Sequence, residues 1–272
     1  MTLNSTTKLS IAELSIYVVL LLPTLWLLYK HGRAALRAFF YLIAFEILRV
    51  VAGVIQINDR NAAYPTESGA IVSSVGLSPL LLAFSGIVNL LLSYYRASSR
   101  SPVQAFVPEA VIHIGAVTGI ALVAFGASKL FAQNAKPSDI NTGYTMFKIG
   151  AVILLATWIA VTLLCLQLLG TLKVQLVLSL LMLSSCGFIG ARAIYTIVYA
   201  FDHTSSLSPF TGSFVVKLIP IFLAQLLAAL SMLAVAFLTR NDGKQRATGH
   251  RRRHQNVESL DSSIPLTARS YK

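Results

Sequence analysis

The sequence predicts an all-α membrane protein, a bundle of seven transmembrane helices, and three observations lead to that fold class. Hydrophobic residues make up 56% of the 272-residue chain and charged residues only 12%, well below the share of about 25% in soluble domains. The apolar residues form long blocks, and a helix needs about 20 such residues to cross a bilayer. No segment shows the alternation of a transmembrane barrel, so helices are expected to satisfy the backbone in lipid.

Seven apolar segments are long enough to span a bilayer, and we expect them to form one domain over residues 11–239. Segments five and six are divided only by residues 170–173, where a glycine and a lysine favour a tight turn between helices. Pro79 and Pro220 fall inside predicted spans, where the missing N–H group predicts kinks. The seven predicted helices cover residues 11–29, 35–57, 69–95, 107–131, 145–169, 174–201 and 210–239.

Two polar segments flank the predicted helices. Residues 1–10 are expected to form a short extracytoplasmic amino terminus, in which Asn4 begins a glycosylation sequon whose use stays open. Residues 240–272 are low in apolar residues and are expected to form a basic, disordered cytoplasmic tail. The first apolar segment has no small-residue cleavage pattern at its end, so we interpret it as a retained span.

Lysine and arginine residues in the short loops predict the orientation, because cytoplasmic loops carry an excess of both. The loops after spans one, three and five and the tail hold most of them, whereas the opposite side holds only Lys8, Arg60 and Lys136. The amino terminus is therefore expected outside and the carboxy terminus in the cytoplasm. The same asymmetry explains the net charge of +12 without a nucleic-acid partner.

The tail carries the run Arg251, Arg252 and Arg253 shortly after the last span. A basic residue near an anionic leaflet contributes about 1 kcal/mol of attraction. We therefore expect these three residues at the membrane surface, with anionic lipids of the cytoplasmic leaflet as partners. Spans slightly longer than average favour the plasma membrane, with an internal membrane as the alternative.

Four ionisable side chains lie deep in predicted spans, namely Glu46, Arg49, Arg192 and Lys217. Such a group costs at least about 2.5 kcal/mol at the bilayer centre and usually faces the bundle interior or a cavity. Glu46 and Arg49 lie three residues apart on one helix face, so they can pair with each other and have a purely structural role. Four other ionisable residues near span ends are interpreted as structural: Glu13, His113, Lys129 and Lys148.

If all four deep residues cluster, three cations face one carboxylate. The two remaining cations then reach the interface, lose their charge, or hold an anion such as a carboxylate, a lipid phosphate or a small inorganic ion. Arg192 and Tyr195 also share one face of span six with Tyr199 and Asp202, which indicates either a polar entry cleft or interfacial anchoring. The candidate ligand-binding residues are Glu46, Arg49, Arg192, Tyr195 and Lys217.

The favoured function is non-enzymatic: binding of an anionic or amphipathic small molecule or lipid, as a sensor or lipid handler. The chain shows no phosphate-binding loop, nucleophile elbow or metal-ligand pattern, so no cofactor, metal or catalytic residue is expected. One alternative is a membrane-embedded enzyme, such as a terpene-cyclase-like protein with Glu46 as the acid, although an arginine beside it opposes that role. Another alternative is a structural or scaffolding membrane protein.

Four runs carry a resemblance to a known family: EILRVV with Arg49, GLSPLLL (76–82), RAIYTIVYAF (192–201) and TGSFVVKLIP (211–220). The chain resembles a fungal seven-transmembrane family of integral membrane proteins, a domain of unknown function. The resemblance covers the seven spans and not the tail, and it implies an architecture but no activity. It also implies an acidic residue shortly after Lys217, where this chain continues to Gln225 without one. The layout is more distantly similar to fungal RTA-like and receptor-like seven-pass proteins.

Overall fold

The structure is a computed structural model that describes residues 5–59, 69, 71–72, 75–95, 102–132, 136–171, 175–202, 204–209 and 212–240. Within these ranges the chain is helical and contains no strand, which confirms the all-α prediction. The long helices, in chain order, are α1 Ser5–His31, α2 Leu36–Asn58, α3 Leu77–Tyr95, α4 Pro102–Phe131, α5 Pro137–Thr171, α6 Leu176–Asp202 and α7 Phe214–Thr239.

Six of these helices, all except α3, are long and apolar enough to cross a membrane. They indicate an integral multi-pass membrane protein. The predicted third span, residues 69–95, corresponds to α3, which begins only at Leu77 and has a shorter apolar part, Leu77–Leu92. The described residues thus show six membrane-capable helices where the sequence predicts seven spans.

The short helix α3 lies at the centre of the bundle. Four of its side chains, Leu80, Leu81, Ala83 and Phe84, are fully buried, and the helix contacts α2, α4, α5, α6 and α7. The outer helices instead expose large apolar side chains such as Val19 and Leu22. A helix surrounded by protein can be apolar on every side, which is the pattern of α3.

Glycines bring α4 and α5 into close contact along their length. A side-chain Cβ added at Gly126 would lie 2.7 Å from the carbonyl oxygen of Gly143, and one added at Gly150 would lie 2.7 Å from that of Gly119. Small residues that allow backbones to approach are typical of helix packing in membranes, where apolar burial alone gives little driving force.

The two prolines in predicted spans differ in their effect. Pro79 lies in the first turn of α3, where no helical N–H bond is lost, so the expected kink within a span is wrong for this residue. Pro220 lies inside a π-helical segment of α7, Lys217–Leu223, and its missing N–H fits that local change in hydrogen bonding.

Candidate functional site

Helix α1 turns a polar face toward the protein interior. Its seven buried residues include five with polar side chains, Thr7, Ser10, Glu13, Tyr17 and Thr24, at the three- and four-residue steps of one helix face. A helix in lipid places its apolar side chains outward, so polar groups at this spacing are expected to meet partners on neighbouring helices.

Three polar contacts join α1 to α2 along this face. The Ser10 hydroxyl donates to Gln56 Oε1 at 2.8 Å, Arg49 Nη1 lies 3.3 Å from Glu13 Oε1, and the Thr24 hydroxyl donates to Glu46 Oε1 at 2.7 Å. Contacts that come later in α1 are made by residues that come earlier in α2, so the two helices are antiparallel. Each polar residue of α2 is therefore matched to a different partner on α1.

Arg49 does not pair with Glu46, which corrects the self-pairing interpretation. Its guanidinium is only 2% exposed and binds Glu13 on α1 through Nη1, while Nη2 donates to Gln225 Oε1 on α7. Glu46 is instead held by Thr24. Glu13, interpreted from the sequence as a structural residue near a span end, is thus the carboxylate partner of Arg49. The amide of Gln225 lies on α7, in the segment where the family resemblance implies an acid.

Gly76, immediately before α3, makes room for the Arg49 guanidinium. A Cβ at this position would lie 2.7 Å from Arg49 Nη2 and 3.1 Å from Cζ. Any larger residue would displace the group that joins α1, α2 and α7. The glycine of the GLSP run is therefore part of the arginine site.

Tyr17 completes this group of side chains, which we call the polar cluster: Glu13, Tyr17, Glu46, Arg49 and Gln225. The Tyr17 ring is fully buried and makes edge-to-face contacts with Phe45 and Phe222, at centroid distances of 5.5 and 6.4 Å. Its hydroxyl lies within electrostatic range of Arg49, Glu13 and Glu46. Tyr17 thus packs against aromatic rings of α2 and α7 beside the cluster.

Arg192 on α6 forms a second buried site. Its side chain is 3% exposed, its Nη1 donates to the Thr196 hydroxyl at 2.8 Å, and its guanidinium lies 5.1 Å from the centroid of the Tyr195 ring. None of the described carboxylates forms an ion pair with it, and the positive charge of Arg49 acts on it. Arg192 is thus a buried cation whose hydrogen-bonded partner is a neutral hydroxyl.

A cavity of about 10 Å³ adjoins the Arg192 site. Tyr195 and Tyr199 line it from α6, and the Tyr195 hydroxyl donates to the Leu207 carbonyl at 2.7 Å, which ties the cavity wall to the segment after α6. A cavity of this size holds about one water molecule. Its lining residues are Val123, Phe147, Arg192, Tyr195, Thr196, Tyr199 and Pro209.

Lys217, the remaining predicted ligand-binding residue, makes none of the contacts that form these two sites. Lys217 is half-buried at the start of the π-helical segment, and its amine forms no hydrogen bond or ion pair with any residue that the structure describes. The predicted membrane-surface residues, Arg251, Arg252 and Arg253, lie outside the described residues, as does Asn4. Among the described residues, no group of three or more His, Cys, Asp or Glu side chains is placed to hold a metal ion.

Comparison with known proteins supplies a family and no activity. No curated protein and no solved structure matches the chain significantly. The fungal origin and the distant similarity to RTA-like and receptor-like proteins stay predictions. A family described as a domain of unknown function, DUF7702, matches residues 3–242, and the chain belongs to that family.

Proposed function

We propose that this protein binds the anionic group of an amphipathic small molecule or lipid, with Arg192 as the anchoring cation, and acts as a sensor or lipid handler. The observation that carries the proposal is the buried Arg192 guanidinium, which meets a hydroxyl and an aromatic ring but no described carboxylate. A charge in the bilayer interior is costly unless it is paired. A bound anion supplies the missing partner.

Arginine suits this role because its planar fork binds carboxylate and phosphate with two parallel hydrogen bonds. The Thr196 hydroxyl accepts from Nη1 and donates to the Arg192 carbonyl, so it has no donor left for an anion. The further donor is Arg192 Nε, which meets no hydrogen-bond partner among the described residues. The charge of Arg49 acts on this position but is balanced by Glu13, so Arg192 supplies the uncompensated positive charge.

The size of the cavity restricts how a ligand enters. About 10 Å³ accommodates an oxygen atom or two of a head group and not a whole metabolite. The remainder of the molecule then lies along the helices outside the cavity, which favours an amphipathic molecule with an apolar part. A fatty-acid carboxylate and a lipid phosphate both meet this requirement.

Native mass spectrometry of the full chain in mild detergent tests the proposal. We expect wild-type protein to retain an added fatty acid or short-chain phosphatidic acid, and Arg192→Gln to lose it. The matched control is Lys148→Gln, which removes one positive charge beside Phe147 but leaves the cavity unchanged, since its amine lies over Phe201. Equal retention by wild type and Arg192→Gln would rule out Arg192 as the anchor.

A membrane-embedded enzyme with Glu46 as the acid is a second candidate. In the sequence, an arginine beside Glu46 opposes this role. In the structure Arg49 pairs with Glu13 instead, so that argument against Glu46 is weaker. Under this reading, Glu46→Gln abolishes turnover of an olefin or epoxide substrate while Arg192→Gln has a small effect. If both variants change only the folding yield, the third reading applies, a structural or scaffolding membrane protein.

We also propose that α3 is a seventh span and that the amino terminus is outside. A helix of 19 residues is about 28 Å long, close to the hydrocarbon thickness of about 30 Å, and α3 is enclosed by the other helices rather than by lipid. Seven spans place the termini on opposite sides of the membrane, whereas six place them on the same side. Reporter fusions at each end in turn separate the two topologies.

The basic tail and the plasma membrane location complete the proposal. We propose that Arg251, Arg252 and Arg253 bind anionic lipids of the cytoplasmic leaflet. Binding of a tail peptide and its triple-alanine variant to vesicles with and without phosphatidylserine tests the lipid contact. The location of a fluorescent fusion of the full chain tests the plasma membrane assignment.

A further inference from the structure

The polar cluster contains four side chains whose hydrogen-bonding groups are incompletely used. Tyr17, Glu46, Arg49 and Gln225 are each at most 2% exposed, and they come from α1, α2 and α7. Within the described part of the chain, no hydrogen-bond partner meets Tyr17 Oη, Glu46 Oε2, Arg49 Nε or Gln225 Nε2. A buried polar atom left without a partner costs about 1–3 kcal/mol, so four in one cluster point to bound molecules.

The chemistry of the four atoms identifies those molecules. Arg49 Nε and Gln225 Nε2 can only donate, Glu46 Oε2 accepts when ionised and can donate when protonated, and the Tyr17 hydroxyl can do both. Each partner must therefore be small and able both to donate and to accept. Glu46 is held by Thr24 and Arg49 by Glu13. Thr24 and Glu13 lie about 16 Å apart along α1, so more than one such molecule is needed. Water meets these requirements, and buried waters typically make about three hydrogen bonds to groups of this kind.

The cluster is also connected along the α1–α2 interface. Polar contacts at Ser10–Gln56, Glu13–Arg49 and Glu46–Thr24 follow one another along α1. Ser10 and Thr24 are about 21 Å apart at the rise of an α-helix, which is most of a hydrocarbon core about 30 Å thick. Water in the cluster thus has polar neighbours toward the ends of α1.

We propose that the polar cluster is a bound-water site through which Glu46 exchanges a proton with solvent. The proton moves between Glu46 Oε2 and a water oxygen, and no other bond changes. The groups that face this site are Thr24, Tyr17 and Glu13 from α1, Arg49 from α2 and Gln225 from α7, with Arg192 on α6 within electrostatic range of Arg49.

The position of Arg49 makes this an exchange site and not an open proton channel. A fixed positive charge repels protons, as arginine does in selective water pores. The Glu13–Arg49 pair lies between the Ser10–Gln56 and Thr24–Glu46 contacts along α1, so a proton crossing the whole column would have to pass the guanidinium. The site therefore binds and releases a proton from one side. This inference depends on Glu46 and is independent of anion binding at Arg192.

Infrared difference spectroscopy of the full-length protein in liposomes tests the inference. We expect a carboxylic-acid carbonyl band from Glu46 at low pH that shifts promptly on transfer from H₂O to D₂O. Glu46→Gln removes this band, whereas the control Glu109→Gln, at the ion pair with the largely exposed Arg37, leaves it unchanged. Tyr17→Phe, which removes one water partner, slows the shift.

Two results would overturn the inference. One is a Glu46 band that stays unshifted in D₂O, because a dry site cannot exchange its proton. The other is the absence of a Glu46 acid band over the whole pH range in which the protein is folded. If Glu46→Gln fails to fold, Thr24→Val provides the assignment, since losing the hydrogen bond to Glu46 Oε1 moves the same band to higher frequency.

Discussion

Arg49 on α2 and Glu13 on α1 form an ion pair inside the bundle, with Arg49 Nη1 lying 3.3 Å from Glu13 Oε1 and both side chains almost completely buried. The same guanidinium donates to Gln225 on α7. One arginine therefore joins α1, α2 and α7, the first, second and last of the described helices. Since these contacts lie in a low-dielectric environment, changes to any of the three side chains are expected to have large effects.

Replacing Glu13 by glutamine is expected to destabilise the protein by about 3–5 kcal/mol, because it leaves Arg49 as an uncompensated buried charge. Glu109→Gln is the matched control. Its partner Arg37 has a 70% exposed side chain, and surface ion pairs contribute only about 0–1 kcal/mol. Unfolding in detergent, by heating or by titration with SDS, measures the loss of stability in both variants. Equal losses would contradict a structural role for the buried pair.

Gly76→Ala is expected to destabilise the protein by about 1–3 kcal/mol, the usual range for overpacking. The new Cβ would lie 2.7 Å from Arg49 Nη2, and the guanidinium cannot move without straining its contacts to Glu13 and Gln225. A double-mutant cycle with Arg49→Met isolates this clash. If Gly76→Ala destabilises the Arg49→Met variant as much as it destabilises the wild type, the clash with the guanidinium does not cause the loss of stability.

Two substitutions at Tyr195 separate ligand binding from loop anchoring. Tyr195→Phe removes the hydrogen bond to the Leu207 carbonyl but keeps the ring against Arg192, so anion retention persists while amide exchange in residues 204–209 increases. Tyr195→Leu also removes the cation–π contact, worth about 2 kcal/mol when desolvated, and should alter the affinity for a fatty-acid probe. Indistinguishable affinities in the two variants would show that the ring has no part in the site.

Gly190→Ala is expected to displace Trp158 of α5. The added Cβ would clash with Trp158 Cζ2, and the indole now donates to the Cys186 carbonyl at 3.0 Å. Tryptophan emission, measured in a Trp26→Phe background, should change together with a loss of thermal stability. Gly187→Ala on the same helix is the control, since a Cβ there meets nothing within 4 Å. An unchanged emission spectrum would mean that the α5–α6 contact adapts.

The general fold was predictable because it follows from local composition. Long apolar blocks with few charges require helices in lipid, and the described residues form them. The short helix α3 was harder to assign. Its apolar run looks like any other span in sequence, and only its neighbours show that it is enclosed by protein on all sides.

The candidate site was only partly predictable. Arg49 and Arg192 were recognisable as buried cations because charges are rare in spans. The interpretation of Glu13 as a structural end residue missed its pairing with Arg49, although the recurrence of Ser10, Glu13, Tyr17 and Thr24 on one helix face was a usable signal. Nothing local indicated Gln225, which lies 176 residues from Arg49 in the chain.

The sequence by itself determined that this chain is a helical membrane protein of DUF7702 and that a few ionisable groups lie within its helices. The tertiary structure decided how those groups pair: Arg49 with Glu13 and Gln225, Glu46 with Thr24, and Arg192 with a hydroxyl beside a small cavity. The physical reason is that hydropathy depends on each segment alone. The choice of partner depends instead on how each helix is rotated and how far it is shifted along its neighbours. Both are fixed only when the helices pack together.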